Sequence, residues 1–155
     1  MDSFDKFYNK ALRFLSFRPR SEKEVEDYLE KKECDNLTSG KIIQNLKEHN
    51  FLNDENFTKW WIEQRTIVRP RAERVIKMEL KQKGIQKELI DEIFEKNINK
   101  DKEIALKLAQ KRIQRYARGD TKKTYEKMLR FLISKGFSYD TIKEVIDQVL
   151  GKEYN

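Results

Sequence analysis

A ten-residue phrase is written three times along this chain, and it limits the fold more than any other feature. The three copies are Val25-x-x-x-Leu29-x-x-Lys32-x-Cys34, Ile76-x-x-x-Leu80-x-x-Lys83-x-Ile85 and Met128-x-x-x-Leu132-x-x-Lys135-x-Phe137. Their leucines are 51 and 52 residues apart. A repeat of this length indicates a small supersecondary unit used more than once. Because about fifty residues bury too little apolar surface to be stable alone, the units are expected to support one another.

The repeat extends to both sides of the phrase. Eight residues before each leucine stands a small residue, in turn Ser21, Ala72 and Thr124. Apolar pairs recur thirteen and fourteen residues after it, at Ile42-Ile43, Ile93-Phe94 and Val145-Ile146. Apolar spacing alone arises by chance in helical proteins, whereas agreement at all of these positions indicates a true internal repeat.

Apolar residues recur at the helical spacing i, i+3, i+4 and i+7 through nearly the whole chain. The chain has only 5 Gly and 2 Pro, so it offers little turn material for a β-sandwich or barrel. The sequence therefore predicts an all-α fold of nine helices in three tandem three-helix units. The predicted units are residues 1–52, 53–98 and 99–155.

Capping residues and helix breakers predict where the helices end. Ser21 with Glu24 forms a capping-box pattern for the second helix, and Ser138 is expected to open the ninth. The first helix is expected to cover about residues 2–17, the third about 38–50 and the seventh about 100–118. The remaining signals are Asn53-Asp54-Glu55 as the cap of the fourth helix, Pro70 in the first turn of the fifth, Gly84 and Gly136 as stops, and Gly119 as a stop before an Asp120 cap.

The positive charge is concentrated in the last third of the chain. The net charge is +7, and residues 1–52 are neutral, whereas residues 99–155 carry 14 basic and 8 acidic side chains. Between residues 107 and 130 there are 9 basic and 2 acidic side chains. An excess with so few balancing acids predicts a functional basic surface for a polyanion or an acidic protein. Phosphate contacts of this kind depend on salt and not on base sequence.

Two groups of basic residues make up the predicted binding surface. On the predicted seventh helix, four cations fall within about 80° of arc, at 100° per residue; they are Lys107, Lys111, Arg115 and Arg118. The motifs Arg18-Pro19-Arg20 and Arg69-Pro70-Arg71 each precede the second helix of a unit, and this recurrence favours a shared binding edge. The complete predicted set for a protein partner or DNA is Arg18, Arg20, Arg69, Arg71, Arg74, Lys81, Lys83, Lys107, Lys111, Arg112, Arg115, Arg118, Lys122 and Lys123.

The sequence predicts no catalytic set, no metal site and no cofactor, and it contains no Gly-rich phosphate loop. His49 is the only histidine and is expected at a helix end on the surface. Cys34 stands where the other copies of the phrase have Ile85 and Phe137. It is therefore expected to be a small buried residue and not a reactive thiol.

A pair of carboxylates and a pair of tryptophans are each expected to have a structural role and not a catalytic one. The carboxylates Glu24 and Asp27 lie among lysines and are expected to be solvated charges on a helix face. Trp60 and Trp61 are adjacent and point about 100° apart on a helix. At least one of the two indoles is expected in the core.

No apolar run reaches the length of a membrane helix, and the N-terminus lacks the basic and apolar segments of a secretory signal. The single cysteine cannot form an internal disulfide. These features predict a soluble, cytoplasmic protein with no membrane partner, and a monomer is expected.

Five stretches of the chain resemble the RecX family, regulators of the bacterial RecA recombinase. They are Ala11-Leu12-Arg13-Phe14-Leu15, Arg20-Ser21-Glu22-Lys23-Glu24-Val25 with Leu29, Phe51-Leu52-Asn53-Asp54 with Phe57, Glu79-Leu80-Lys81-Gln82-Lys83-Gly84-Ile85, and Lys135-Gly136-Phe137-Ser138-Tyr139-Asp140 with Ile142. Each stretch alone is a helix-end pattern, and their order and spacing over about residues 8–150 carry the resemblance.

The resemblance implies an elongated, curved array of three-helix units that binds the RecA filament on DNA. It further implies a non-enzymatic inhibitor of strand exchange and ATP hydrolysis, assisted by weaker, salt-dependent contact with single- or double-stranded DNA. Capping of filament ends and binding in the filament groove both stay open, as does the face that meets the partner. The alternative is a basic helical architectural protein that binds DNA independently of RecA.

The chain departs from the family pattern at two places. The first unit has Glu33 where the other copies of the phrase have glycine, so its helix stop is expected to differ. Pro70 stands where relatives more often have glycine, which leaves the turn before the fifth helix open.

Overall fold

The computed structural model describes residues 2–96, 99–116 and 120–151. Within these ranges the chain forms nine α-helices and no strand, which confirms the predicted all-α class. The helices are α1 Ser3–Phe17, α2 Glu22–Lys31, α3 Asn36–Glu48, α4 Asp54–Glu63, α5 Glu73–Gln82, α6 Lys87–Glu95, α7 Asp101–Ile113, α8 Thr121–Ser134 and α9 Tyr139–Leu150. A five-residue π-helical segment, Gln64–Val68, continues α4.

The chain divides into two compact units, each with its own core. Unit 1 comprises Met1–Trp61 and Glu79–Ile93, and unit 2 comprises Ile62–Met78 and Phe94–Asn155. The buried cluster in unit 1 is Phe7, Ala11, Val25, Leu29, Cys34, Ile42, Leu46 and Leu52. The buried cluster in unit 2 is Ala72, Ala105, Ala109, Met128, Leu132, Phe137, Ile142, Val145 and Ile146. The boundaries of the three predicted units at residues 52 and 98 stay a prediction.

The repeated phrase forms the C-terminal end of α2, α5 and α8, and its leucines are fully buried. The residue that closes each phrase donates its N–H back to the leucine carbonyl. The donor and acceptor pairs are Cys34 and Leu29, Ile85 and Leu80, and Phe137 and Leu132, at N···O distances of 3.0, 3.0 and 3.4 Å. The residue before each donor has a positive φ: Glu33 at 66°, Gly84 at 80° and Gly136 at 94°. This is the Schellman arrangement, in which an apolar residue just past a helix packs back on its last turn.

The expectation that the first helix stop differs is wrong. Glu33 adopts the same left-handed conformation as the two glycines, and the hydrogen bond from Cys34 to Leu29 is as short as its counterpart in the second copy. The buried leucine and the closing apolar residue therefore impose the turn even without glycine. A side chain with a Cβ is strained in this conformation, because Cβ approaches the following carbonyl oxygen.

Replacing Glu33 with glycine is expected to stabilise the protein. Glycine removes the strain of the left-handed conformation but adds backbone entropy to the unfolded chain, so the net gain is about 0.5–1 kcal/mol. Thermal and urea unfolding followed by circular dichroism measure it. Asn50→Gly is the matched control, since Asn50 also has a positive φ of 59° but asparagine tolerates that region. A gain for Asn50→Gly as large as that for Glu33→Gly would contradict the strain at Glu33.

Most predicted helix starts are confirmed. The Ser21 and Glu24 capping box is present, and Asp120 and Ser138 accept hydrogen bonds from backbone N–H groups at the starts of α8 and α9. Three boundaries are wrong. Helix α3 starts two residues earlier than expected because Asp35 caps it, and Pro70 precedes α5 instead of lying in its first turn. Helix α7 ends at Ile113, well before residue 118, and the predicted stop at Gly119 lies outside the described residues.

Each of two aspartates begins one helix and also accepts a hydrogen bond from the first turn of a second helix. Asp54 begins α4, and its carboxylate accepts the N–H of Glu22 at 2.8 Å. Asp101 begins α7, and its carboxylate accepts the N–H of Glu73 at 2.9 Å. Burial raises the pKa of both carboxyl groups, although the N–H bonds favour their ionised forms. Each aspartate thereby satisfies a free N–H in the first turn of α2 or α5.

Candidate functional site

The Arg-Pro-Arg motifs occupy the same place in two repeats. In each motif the arginines stand eleven and nine residues before the buried leucine of the phrase. They are Arg18 and Arg20 in unit 1, and Arg69 and Arg71 in unit 2. Because both motifs immediately precede the second helix of a repeat, the fold offers two copies of one arrangement of cations.

Two further positions complete each copy. The first is the lysine at the end of the next repeat's phrase, which lies near the arginines. It is Lys83 in unit 1 and Lys135 in unit 2. Five residues before each leucine, the chain has Glu24 in the first repeat but Val75 in the second. One copy therefore contains a carboxylate that the other lacks.

In unit 1 the carboxylate of Glu24 lies among the cations, and its side chain is only 13% exposed. Arg18 donates to both oxygens of Glu24 in a two-pronged pair. Lys83 Nζ lies 3.5 Å and Arg20 Nη1 lies 4.0 Å from Glu24 Oε2, and the N–H of Ser21 donates to Oε1 at 3.2 Å. The expectation that Glu24 is a solvated charge is thus wrong, whereas Asp27 is exposed as expected.

The pKa values follow from this arrangement. Burial opposes ionisation of Glu24, but the hydrogen bonds from Arg18 and Ser21 and the charges of Arg18 and Lys83 together hold its pKa below the ordinary value. For Arg20, burial and the nearby charge of Arg18 lower the pKa, and Glu24 partly offsets them. The cluster in unit 1 is therefore organised around an internal carboxylate, which pairs with its three cations and balances part of their charge.

Aromatic rings complete the cluster in unit 1. Arg18 lies 5.8 Å from the ring centroids of both Trp60 and Trp61, and Lys83 lies 5.2 Å from that of Trp61. Trp61 Nε1 also donates to a carboxylate oxygen of Glu79 at 2.8 Å. Both indoles are half-buried, so the expectation that at least one lies in the core is wrong. Their faces are used by cations, which aromatic rings attract.

In unit 2 the equivalent cations line an open cleft of about 470 Å³, here named the basic cleft. Its lining is Val68, Arg69, Pro70, Arg71, Leu108, Lys111, Arg112, Arg115, Phe131 and Lys135. Six of these ten residues are cations, and no carboxylate is among them. Within the described ranges no ion pair neutralises these six side chains. The basic cleft is therefore a concentration of positive charge that no carboxylate in its lining balances.

Packing holds the cations at the basic cleft in place. The guanidinium of Arg112 lies 4.3 Å from the Phe131 ring centroid, and its Nε donates to the hydroxyl of Tyr116 at 3.1 Å. Lys135 Nζ lies 5.4 Å from the same Phe131 ring. Burial and the charges of Arg71 and Arg112 lower the pKa of Lys135, as expected for cations held close together without an anion.

The backbone also fixes the edges of the basic cleft. The N–H of Ala72 donates to the carbonyl oxygen of Lys135 at 3.0 Å, which holds the end of α8 against the start of α5. On the other edge the π-helical segment ends where the N–H of Arg69 donates to the carbonyl oxygen of Gln64 at 2.9 Å. Segments of this kind are frequent at functional sites, because the wider turn re-aims the residues that follow. Here those residues are the Arg-Pro-Arg motif.

The predicted site residues fall into three groups. Five line the basic cleft: Arg69, Arg71, Lys111, Arg112 and Arg115. Three surround the carboxylate of Glu24 in unit 1: Arg18, Arg20 and Lys83. Of the remainder, Arg74 donates to the carbonyl oxygen of Gly136, Lys107 pairs with Glu103, and Lys81, Lys122 and Lys123 are exposed outside the cleft. Arg118 lies outside the described residues. Arg115 follows the end of α7, so the prediction that Lys107, Lys111, Arg115 and Arg118 lie on one helix is wrong.

Sequence reasoning missed Lys135 as a member of the site. The signal was present in the phrase, which places a lysine at the end of the second helix in every repeat. Its meaning depended on Glu24, since Lys83 is paired with that carboxylate and the second repeat has Val75 at the position equivalent to Glu24. Comparison of the two copies position by position could have identified Lys135 as a cation without a carboxylate.

The other chemically active side chains have structural places. Cys34 is buried as expected, and burial together with the charge of Asp35 raises the pKa of its thiol. His49 ends α3, where its Nδ1 lies 2.8 Å from the carbonyl oxygen of Asn45. Over the described ranges, no group of three or more His, Cys, Asp or Glu side chains could hold a metal ion. None of the described helices is long and apolar enough to cross a membrane.

Three family models match successive parts of the chain. They describe the first three-helix domain of RecX at residues 8–51, the second at residues 53–93 and the third at residues 100–146. The crystal structure of RecX from Lactobacillus salivarius has a TM-score of 0.74 and 30% identity, and the match covers 94% of this chain and 96% of that one.

Curated relatives agree with the family models. Regulatory protein RecX of Clostridium beijerinckii is 36% identical over 152 residues, covering 96% of this chain and 70% of the relative. That of Clostridium perfringens is 33% identical over 156 residues, covering 99% and 73%. The match to regulatory protein RecX of Streptococcus uberis covers 53% of that relative, which is longer than this chain. These matches confirm the resemblance, and the chain belongs to the RecX family of regulatory proteins.

Proposed function

We propose that this protein is a non-enzymatic, cytoplasmic regulator that binds the RecA filament on DNA and inhibits its recombinase and ATPase activities. Three matched RecX domains and relatives named as regulatory proteins support a regulatory role. The observation that carries the proposal is the basic cleft in unit 2, because a filament assembled on DNA presents phosphates to such a surface. The protein acts as a monomer, and its contact with DNA is weaker than its contact with RecA.

Addition of the protein to RecA assembled on single-stranded DNA is expected to lower the steady-state rate of ATP hydrolysis. The rate is measured over increasing ratios of the protein to RecA, at several salt concentrations. Inhibition far below one copy per RecA indicates capping of filament ends, and inhibition that grows in proportion to occupancy indicates binding along the groove. An unchanged rate at stoichiometric excess across the salt series would contradict the proposal.

The basic cleft also favours a second candidate, a helical architectural protein that binds DNA independently of RecA. A mobility-shift titration on bare DNA, with and without RecA, separates the two functions. Tight binding to bare DNA that RecA leaves unchanged favours the architectural protein. Weak binding that strengthens when RecA coats the DNA favours the regulator.

A further inference from the structure

Unit 1 shows what the arrangement of cations in this repeat binds. Two arginines that precede a second helix, and a lysine from the end of the next phrase, surround one carboxylate of the same chain. That carboxylate accepts a two-pronged hydrogen bond from Arg18, which is a geometry guanidinium groups form with carboxylates and phosphates alike. Glu24 is therefore an internal anion in a site built from Arg18, Arg20 and Lys83.

Unit 2 repeats the cations without the anion. Arg69, Arg71 and Lys135 stand at the positions of Arg18, Arg20 and Lys83, and Val75 replaces Glu24. The side chain of Val75 packs against the backbone of Gly136, so it cannot supply a charge. Like charges gathered without a counter-ion repel one another, and this arrangement persists only because packing and backbone hydrogen bonds hold it.

We propose that the basic cleft is an open copy of the site that Glu24 fills in unit 1, and that it binds backbone phosphates of a nucleic-acid strand through Arg69, Arg71 and Lys135. The inference rests on the proposed function in that the DNA of the filament supplies the phosphates, but it concerns a ligand of this chain and needs no RecA for its test. It also predicts that one carboxylate at position 75 closes the site.

The form and charge of the cleft favour a phosphodiester strand over an acidic side chain. The three cations of unit 1 surround one carboxylate, whereas the basic cleft adds Lys111, Arg112 and Arg115 along its walls. A strand brings a charge with every nucleotide and can engage several of these cations at once. Val68, which lines the cleft beside Arg69, is 63% exposed, and Arg112 and Arg115 present guanidinium planes on which unstacked bases can stack.

The decisive variant is the triple substitution Arg69→Gln, Arg71→Gln and Lys135→Gln. Binding to a fluorescently labelled oligo-dT is followed by anisotropy over a range of salt concentrations, with a duplex of the same length as a second probe. The triple variant is expected to lose at least tenfold in affinity, and the salt slope is expected to fall by about 2, given about 0.7 for each single-strand phosphate contact. The duplex arm shows whether stacked strands reach the cleft equally well.

The matched control is the triple Lys100→Gln, Lys102→Gln and Lys143→Gln. These three lysines are exposed in unit 2 outside the basic cleft, and their replacement lowers the net charge by the same amount. A change of no more than about threefold is expected for the control, because it alters only the general charge of the protein. An equal loss of affinity in both triples would overturn the proposal, and so would the absence of oligo-dT binding by the unaltered protein at low salt.

Val75→Glu tests the site from the opposite direction. It adds the carboxylate that unit 1 contains, and it is expected to lower oligo-dT affinity about as much as the cleft triple. Gln148→Glu, exposed on α9, is the control with the same change in charge. Thermal unfolding checks that each variant folds; if Val75→Glu does not, the cleft triple decides. Equal effects of Val75→Glu and Gln148→Glu contradict the proposal.

Competition with polyglutamate identifies the chemistry of the ligand. At equal concentration of negative charge, polyglutamate is expected to displace oligo-dT poorly. If it competes as well as unlabelled oligo-dT, the cleft is a docking site for acidic protein segments and the proposal is overturned. The effect of the cleft triple on RecA separates the phosphate site from the proposed regulatory function. If the triple variant no longer binds oligo-dT but still inhibits ATP hydrolysis by RecA, the regulatory function does not depend on the phosphate site.

Discussion

Gly136→Ala is expected to destabilise unit 2 by about 3 kcal/mol or more. Gly136 has a φ of 94°, and a Cβ placed on it would lie 2.3 Å from Cγ2 of Val75. The variant therefore combines backbone strain with overpacking in a turn held by backbone hydrogen bonds. For a chain of this size the melting temperature is expected to fall by roughly 6–12 °C, at about 2–4 °C per kcal/mol. Differential scanning calorimetry and urea unfolding measure the loss.

Gly40→Ala is the control for this prediction, because it makes the same change in a different environment. Gly40 lies inside α3, and a Cβ there meets nothing within 4 Å. Alanine is a better helix former than glycine by roughly 1 kcal/mol, so this variant is expected to be more stable than the unaltered protein. Two variants of opposite sign would locate the cost in the turn at Gly136. A loss below about 1 kcal/mol for Gly136→Ala would show that the turn relaxes around the new Cβ.

Glu24→Gln is expected to lower the free energy of unfolding by about 2 kcal/mol at neutral pH. The amide keeps an oxygen for the N–H of Ser21 but removes the charge that Arg18, Arg20 and Lys83 surround. The expected loss of unfolding free energy is smaller than the cost of breaking a fully buried ion pair, because water reaches part of the cluster. Chemical unfolding at neutral pH checks the magnitude.

The pH dependence gives the same prediction a second readout. The folded protein holds the pKa of Glu24 below its ordinary value, so the stabilisation is present above the pKa of the unfolded chain. It is lost as the pH falls through the lower folded pKa, where Glu24 becomes protonated. The difference between the unaltered protein and Glu24→Gln is therefore expected to shrink toward zero in acid. A difference that is constant with pH would show that the charge of Glu24 contributes nothing.

Asp27→Asn provides the matched control for Glu24→Gln. It makes the same change from carboxylate to amide on the same helix, but Asp27 is 57% exposed and its nearest cation is Lys23 at 4.0 Å. Exposed pairs of this kind contribute little, so a change below about 0.5 kcal/mol is expected. The contrast between the two variants isolates the effect of the surrounding cations from that of the helix position.

Local patterns in the sequence were sufficient for the secondary structure and the core. The phrase predicted the burial of Leu29, Leu80 and Leu132, because an apolar position that recurs at helical spacing in every copy lies on the core face of its helix. The capping box at Ser21 was also readable, since its two hydrogen bonds join residues three apart. In contrast, the left-handed turn at Glu33 could not be read from residue type, because the packing of Leu29 and Cys34 overrides the preference for glycine.

The charge of the candidate site depended on pairs that lie far apart along the chain. Lys83 contacts Glu24 across 59 residues, and this pair brings the lysine of one repeat to the carboxylate of another. A count of charges on one helix treats Arg18 and Arg69 as equals, although Glu24 neutralises one and Val75 leaves the other without a counter-ion. The charge excess of the last third was readable from the sequence, but the members of the cleft, which include Arg69 and Arg71, followed only from the tertiary structure.

The caps supplied by Asp54 and Asp101 have a consequence for dissecting this protein into fragments. A fragment that ends at residue 52 keeps all of α2 but loses the carboxylate that accepts the N–H of Glu22. The same cut removes Lys83 from its place beside Glu24. The repeats are therefore not interchangeable, and a cut or domain swap at their sequence boundaries leaves an N–H group in the first turn of one helix without its acceptor. Fragments that retain the first residues of the next repeat are better starting points for expression.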